Sequence, residues 1–190
     1  MPDDAVEHAR ALFESLGLSP EDDPELAQTP ERFTELLRDL FSDRDASPPA
    51  MSTFESDYVG DADTSEPVLL EDLPFYSMCV HHVVPFFGTI DVVYIPDETM
   101  TGFGSVGRII DHFAARPQIQ ERLVRQIAEH LDAELAPEGV LVRCRARQMC
   151  MEMRGATKRG RLTSLASTGC LTEGERRRDI LATFETGGTS

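Results

Sequence analysis

Hydrophobic residues recur at helical spacing near the beginning of the chain. In residues 3–17 they lie three or four positions apart, at Ala5, Ala9, Leu12, Phe13 and Leu16, which predicts an amphipathic helix. A second helix is predicted from Thr29, with the threonine as its N-cap and Pro30 in its first turn. Residues 43–66 are rich in Asp, Ser and Pro, so they predict a linker or loop.

Further along, the pattern predicts strands and then a pair of helices. Residues 68–94 are strand-rich, with turns predicted near His82 and Gly88. Two consecutive helices are predicted at residues 105–116 and 117–135. The second carries a hydrophobic residue at every fourth position, at Ile119, Leu123, Ile127, Leu131 and Leu135.

Strands are predicted again after the helix pair, at residues 139–151 and 162–171, before a closing helix at 173–184. Strands before and after a helix pair are typical of the α+β class. We therefore predict an acidic N-terminal helical region with its linker at residues 1–66, and an α+β domain at residues 67–190.

The strand predicted at 139–151 has two faces of different chemistry, because side chains alternate along a strand. One face holds Val140, Val142, Cys144, Ala146, Gln148 and Cys150. The other holds Leu141, Arg143, Arg145, Arg147 and Met149. Gln148 therefore stands beside Cys150, and the three arginines predict a face towards solvent or another subunit.

Two cysteines and a histidine are candidates for a metal site. Cys79 and His82 can reach one ion only if the chain turns between them, since on a straight strand they would face opposite sides. Cys150 would complete a set of three. Zinc takes Cys and His ligands, and a catalytic zinc keeps three protein ligands and one open position. The alternative is that both cysteines are small buried hydrophobic residues.

The acidity of the chain is concentrated in its first part. Residues 1–75 hold 20 Asp/Glu and 4 Arg, whereas residues 76–190 hold 14 residues of each sign. No basic patch indicates nucleic-acid binding, and no apolar run is long enough to predict a membrane span. The acidic N-terminus lacks the regions of a secretory signal. Four cysteines are too few for a disulfide scaffold, so we expect a cytoplasmic protein.

Four blocks of sequence, in their order and spacing, resemble the GTP cyclohydrolase I family. They are residues 75–82 (FYSMCVHH), 94–96 (YIP), 118–123 (QIQERL) and 150–155 (CMEMRG). The resemblance covers roughly residues 29–184. It implies the tunnelling (T-) fold, an antiparallel sheet with two helices on one face. It also implies a closed homo-oligomer, a decamer of two pentamers, with active sites between subunits.

The same resemblance implies a reaction and roles for individual residues. The reaction is hydrolytic opening of the guanine imidazole ring at C8, with formate release and rearrangement to dihydroneopterin triphosphate. It implies zinc at Cys79, His82 and Cys150. His81 would shuttle protons, as an imidazole can near neutral pH.

The family's substrate contacts map onto a second set of residues. Glu121 would hold the guanine base, next to Gln120, because a carboxylate can grip adjacent N–H groups. The implied phosphate ligands are Arg32, Arg108 and Arg154. Ser105, predicted at the start of a helix, could hold one phosphate through its hydroxyl and the local N–H groups.

The sequence departs from the family pattern at several of these positions. Val80 replaces a glutamate, and Gln148 replaces a histidine. Because glutamine cannot carry a proton at neutral pH, we expect formation of the final pterin to be weak or absent. Glu35 stands where the family often has lysine, and Gly104-Ser105 stands where it has Ser-Lys. Losing two lysines predicts weaker triphosphate binding, since each partly exposed charge pair is worth about 1–4 kcal/mol.

These departures leave three alternatives open. A divergent paralogue would open the ring of a less phosphorylated purine and stop at a formamidopyrimidine. A non-catalytic binding subunit would keep the fold and lose turnover. A T-fold reductase is disfavoured, because the Cys79, His82 and Cys150 set points to hydrolysis.

Overall fold

The computed structural model describes residues 3–42, 45–55 and 66–186. Its helices are α1 (Asp3–Ser15), α2 (Thr29–Leu40), α3 (Phe103–Ala114), α4 (Gln120–Leu135), α5 (Met149–Glu152) and α6 (Glu175–Thr186). Its strands are β1 (Thr53–Glu55), β2 (Val68–Cys79), β3 (Pro85–Ile95), β4 (Thr99–Thr101), β5 (Pro117–Gln118), β6 (Gly139–Gln148) and β7 (Leu162–Gly169). No helix of these residues is both long and apolar enough to cross a membrane.

Helices α1 and α2 pack against each other at the N-terminal end of the chain. The rings of Phe13 and Phe33 meet edge to face with centroids 5.5 Å apart, and Arg10 pairs with Glu31 at 3.1 Å. The N-cap of α2 is Gln28 and not the predicted Thr29. The Thr29 N–H donates to the Leu26 carbonyl in a turn that leads into the helix. Thr29 is therefore already helical, and the helix begins one residue earlier than predicted.

The main sheet has five strands in the order β5-β2-β3-β6-β7. All neighbours are antiparallel except the short β5, which runs parallel to the end of β2. This mixed architecture, with a helix pair on the sheet, confirms the predicted α+β class. Pairing of β5 with β2 also explains why α4 begins at Gln120 and not at the predicted Pro117, because residues 117 and 118 are extended.

The main core lies between one face of the sheet and the pair α3 and α4. Ile109 and Ile127 of the helices are fully buried there against Val92 and Val142 of the strands. Four members of the predicted stripe on α4 are buried, but Ile119 is 38% exposed. It precedes the helix in extended backbone, so helical spacing does not apply to it.

The opposite face of the sheet is partly covered by α6. Leu141, Ile180 and Phe184 form a second buried cluster there. Arg143, which the alternation places on this face, reaches under α6 and stacks on the Phe184 ring at 3.7 Å. The expectation that the three arginines face solvent or another subunit is therefore wrong for Arg143, which the closing helix of the same chain covers.

Gly88 lies in the middle of β3 and not at the predicted turn. It pairs with Phe75 on one side and with Ala146 on the other. A Cβ at this position would come within 2.0 Å of the Arg145 carbonyl oxygen. The glycine therefore permits a close approach of two strands, which sequence alone does not distinguish from a turn signal.

Part of the predicted linker at 43–66 is ordered into the fold. Residues 43–44 and 56–65 lie outside the described residues, but β1 pairs with β4. The Thr101 hydroxyl donates to the Ser52 carbonyl at 2.9 Å. The division at residues 66 and 67 stays a prediction.

Candidate active site

A tight turn between β2 and β3 places the first two metal candidates. Strand β2 ends at Cys79, whose N–H donates to the Val84 carbonyl and whose carbonyl accepts from the Val83 N–H, both at 2.9 Å. Val83 takes a left-handed conformation, with φ of 51°. The chain therefore reverses within five residues, and the predicted turn near His82 is confirmed. His82 folds back towards Cys79, as a shared ligand site requires.

The third candidate, Cys150, reaches the site because the backbone changes from strand to helix, which the alternation of side chains along the predicted strand did not indicate. Strand β6 stops at Gln148, and Cys150 lies in the single helical turn α5. The ligand atoms of Cys79, His82 and Cys150 all lie within 4.8 Å of one another. Tetrahedral zinc with sulfur and nitrogen ligands holds neighbouring donors about 3.5–3.8 Å apart. The donor types therefore suit zinc, and the three donor atoms lie close enough together to share one ion after a small adjustment.

The three candidates differ in their exposure to solvent. Cys79 is buried, Cys150 is half-buried and His82 is exposed. Burial raises the pKa of the Cys150 thiol, a hydrogen bond with Cys79 raises it further, and the nearby Arg154 cation opposes the rise. Burial raises the pKa of Cys144 to about 12, and Asp91 and Glu121 add to that rise.

A cavity of about 190 Å³ opens beside these cysteines. It brings together six residues that the sequence singled out: Cys79, His81, Gln120, Glu121, Gln148 and Cys150. They come from the β2–β3 turn, the start of α4, the end of β6 and α5, which all meet at one end of the sheet. The cavity therefore joins the metal candidates to the groups proposed for proton transfer and base recognition.

Glu121 stands at the mouth of this cavity. It lies in the first turn of α4, exposed, with a carboxylate oxygen 3.5 Å from the Ser164 hydroxyl. A carboxylate in the first turn of a helix is stabilised by the helix dipole. Since the contact with Ser164 is at the limit of hydrogen-bond distance, the carboxylate can still accept from N–H donors of a ligand.

Gln120 and Gln148 form a hydrogen-bonded pair in the cavity wall. The Gln148 amide donates to Gln120 Oε1 at 2.8 Å. The Gln120 amide in turn donates to the Cys144 and Leu162 carbonyls at 3.1 and 2.9 Å, and its side chain is 2% exposed. These contacts suit Gln120 for positioning Gln148 more than for touching a ligand itself.

Among the described residues, the predicted phosphate ligands do not all gather at this cavity. Arg154 follows α5 and acts electrostatically on Cys150, so it lies close to the site. Arg32, Ser105 and Arg108 are not among the described residues that line the cavity. Arg32 donates to Gln28, whereas the Ser105 hydroxyl accepts from Arg108 at 3.1 Å and from a backbone N–H at 3.2 Å. The Ser105 hydroxyl is therefore already engaged.

Sequence reasoning missed Gln118, a structural residue of the wall. It is fully buried and donates to the Phe113 carbonyl at 2.9 Å and to Gln126 at 2.8 Å, while its oxygen accepts from Arg122. These bonds fix the start of α4, and with it Glu121. The sequence contained a signal for this role, because Gln118 and Arg122 both belong to the QIQERL block that carries the family resemblance.

Comparison with known proteins identifies the family of this chain. The sequence profile of the GTP cyclohydrolase I family matches residues 5–185. The chain is 41% identical over 158 residues to GTP cyclohydrolase 1 of Lactiplantibacillus plantarum, covering 82% of this chain and 80% of the relative. It is 40% identical over 174 residues to GTP cyclohydrolase 1 of Streptococcus thermophilus, covering 90% of each. This chain belongs to the GTP cyclohydrolase I family.

Proposed function

We propose that this chain is a zinc-dependent hydrolase that opens the imidazole ring of GTP at C8 and releases formate, leading towards dihydroneopterin triphosphate. The observation that carries the proposal is the cavity that Cys79 and Cys150, two members of the cluster with His82, line together with Glu121. Membership of the GTP cyclohydrolase I family supports the substrate and the reaction class.

Cys79, His82 and Cys150 would hold the metal. When bound, a zinc ion supplies a Lewis acid that lowers the pKa of a water molecule, the nucleophile that hydrolysis needs. The four cysteines are free thiols, which agrees with a reducing, cytoplasmic location.

The other cavity residues act on the base and its protons. Glu121 accepts N–H bonds from the guanine edge and so fixes the ring beside the metal candidates. His81 lines the same cavity, with Nδ1 3.8 Å from Cys79 Sγ. In this proposal it moves protons to and from the ring nitrogens. Opening the ring consumes one water and leaves a formamide, and a second water releases formate.

Replacing Glu121 tests the base-binding role. We expect Glu121→Gln to lower kcat/KM for GTP by about 100-fold or more, because a charged hydrogen bond is worth about 1.5–3 kcal/mol and the new amide also presents a donor to the base. The melting temperature should hardly change, since Glu121 is exposed. Steady-state formate release and thermal unfolding measure the two effects.

The matched control is Glu129→Gln, two turns along α4. Its exposed carboxylate makes only a 3.8 Å ion pair with Arg125. This variant should turn over GTP at the natural rate. Equal activity of Glu121→Gln and the natural protein would remove Glu121 from the proposed site.

Gln148 favours a second candidate, a protein that opens the ring but completes the pterin slowly or stops at a formamidopyrimidine. It lines the cavity beside Cys150, where the family has a histidine, and is held by Gln120. We expect Gln148→His to increase the ratio of pterin to ring-opened product several-fold, because an imidazole can carry a proton that the amide cannot.

Chromatography with fluorescence and mass detection measures this ratio for Gln148→His. Gln148→Asn, which restores no proton carrier, is the control. Natural protein that already forms pterin at rates on the order of 10 per second, the enzyme median, would refute a defect at Gln148.

We also propose that the chain forms a closed homo-oligomer, a decamer by family resemblance. Along most of β2 and all of β7, the outer edges of the five-stranded sheet have no strand partner among the described residues. Free edges of this length generally require cover or a partner. Light scattering at assay concentration should give a mass many times that of one chain, and a monodisperse monomer would refute the assembly.

A further inference from the structure

Two side-chain amides form a hydrogen-bonded chain in the wall of the cavity beside the metal candidates. Both amide hydrogens of Gln120 are used, because its Nε2 donates to the Cys144 carbonyl at 3.1 Å and to the Leu162 carbonyl at 2.9 Å. Gln120 Oε1 then accepts from Gln148 Nε2 at 2.8 Å. Gln120 is 2% exposed, so solvent has little access to these bonds.

Only one orientation of each amide satisfies these contacts. A reversed Gln120 would place its oxygen against the two backbone carbonyl oxygens, and a reversed Gln148 would place its oxygen against Gln120 Oε1. Two acceptors that face each other in a buried wall form no hydrogen bond and leave both polar atoms unpaired. The two backbone carbonyls therefore determine, through Gln120, which end of the Gln148 amide is held in the wall.

The carbonyl end of the Gln148 amide is not used by the fold. Gln148 is the N-cap of α5, but its side chain makes no capping hydrogen bond. Among the described residues, its Oε1 has no hydrogen-bond partner. Gln148 also lines the cavity with Cys79, His81 and Cys150. Since the donor end is held by Gln120, Gln148 offers an acceptor to a ligand, where a protonated histidine would offer a donor.

An acceptor in this cavity distinguishes the intact purine from its ring-opened form. The imidazole ring of a guanosine nucleotide has no N–H group, because N7 carries a lone pair and N9 carries the ribose. Addition of water places a hydroxyl on C8 and a hydrogen on N7. Cleavage of the C8–N9 bond then leaves a formyl group on N7, and the hydroxyl proton moves to N9. The opened form therefore has N–H donors at two nitrogens where the intact ring had none.

We propose that Gln148 is a specificity-determining residue whose Oε1 accepts a hydrogen bond from the N7–H of the hydrated and ring-opened purine. The same oxygen faces the bare N7 lone pair of the intact ring unfavourably. A contact that is stronger after the addition of water than before it favours the addition step. The bond also retains the formamide in the cavity. The inference rests on the proposed function for the identity of the base and of the reaction.

Two GTP analogues with groups of similar size at C8 test this contact by binding instead of turnover. 8-Oxo-GTP has an N7–H, whereas 8-methyl-GTP has a bare N7 lone pair and a blocked C8. Calorimetry with the zinc-loaded oligomer measures both affinities in the natural protein and in Gln148→Met, which keeps the length of the side chain and lacks the carbonyl. We expect Gln148→Met to bind 8-oxo-GTP about 5- to 10-fold more weakly, and 8-methyl-GTP equally well or more tightly.

The opposite response of the two analogues keeps the test decisive, because misfolding would weaken both. A second variant, Gln120→Met, removes the acceptor that holds the Gln148 amide. It should also lower the preference for 8-oxo-GTP over 8-methyl-GTP, since Gln148 can then turn. An unchanged ratio of the two affinities in Gln148→Met, or equal weakening of both analogues, would overturn the role of Gln148 and leave the proposed function standing. If neither analogue binds the natural protein, the base site of the proposed function fails together with this inference.

Discussion

Cys150→Ser should lose its metal and its activity together. The natural protein is expected to bind close to one zinc per chain, and the serine variant far less, because a neutral hydroxyl replaces a thiolate among three ligands. Formate release should fall by at least about 1,000-fold, since hydrolysis depends on water activated at this site. Elemental analysis after dialysis against metal-free buffer measures the occupancy.

Cys170→Ser is the matched control for this experiment. Cys170 is an exposed free thiol in the turn after β7, and it does not belong to the Cys79, His82 and Cys150 cluster. It should keep both metal and activity. Full zinc occupancy in Cys150→Ser, with Cys170→Ser unchanged, would contradict the assignment of the ligands.

The largest expected effect on stability is at Asp91. Its carboxylate is fully buried on the face of the sheet opposite the helix pair. It accepts from Arg143 at 2.7 Å and from the Asp72 N–H at 2.8 Å, with Arg145 at 3.6 Å. Asp91→Ala would leave these donors without their acceptor. We expect a loss of about 3–5 kcal/mol in the free energy of unfolding, as for other broken buried pairs.

Urea unfolding at one fixed protein concentration measures this loss, because oligomer stability depends on concentration. The midpoint should fall by about 1.5–2.5 M. Asp72→Asn is the control. Asp72 also pairs with Arg145 at 2.7 Å, but its side chain is 72% exposed, so its loss should cost less than about 1 kcal/mol. Similar midpoints for the two variants would show that Asp91 is not a centre of stability.

The fold class and the residues of the metal cluster could be predicted from the sequence because hydrophobic periodicity, donor chemistry and the resemblance to a known family all point to them. The spacing of hydrophobic residues located the helix pair between the strands. Membership of the GTP cyclohydrolase I family confirms the resemblance that implied the T-fold. Donor chemistry and the need for a turn at His82 selected the cluster. The zinc itself, the roles of the residues around it and the oligomer remain proposals.

The errors came where tertiary pairing overrides local pattern. Gly88 resembles a turn signal, but the close approach of β3 to β6 requires it. Ile119 fits a helical stripe, but β5 pairs with β2 immediately before it. Cys150 was assigned to a strand face, and it reaches the cluster through the helical turn α5.

The most direct test of the account follows the carbon atom at C8 of GTP. Zinc-loaded oligomer is incubated with GTP carrying carbon-13 at C8, and the label is followed by nuclear magnetic resonance. We predict that the aromatic signal disappears, passes through a formamide signal and ends in free formate, with the formamide persisting if Gln148 slows the later steps. A label that stays in the intact aromatic ring after prolonged incubation would contradict the assignment of this site to ring-opening hydrolysis.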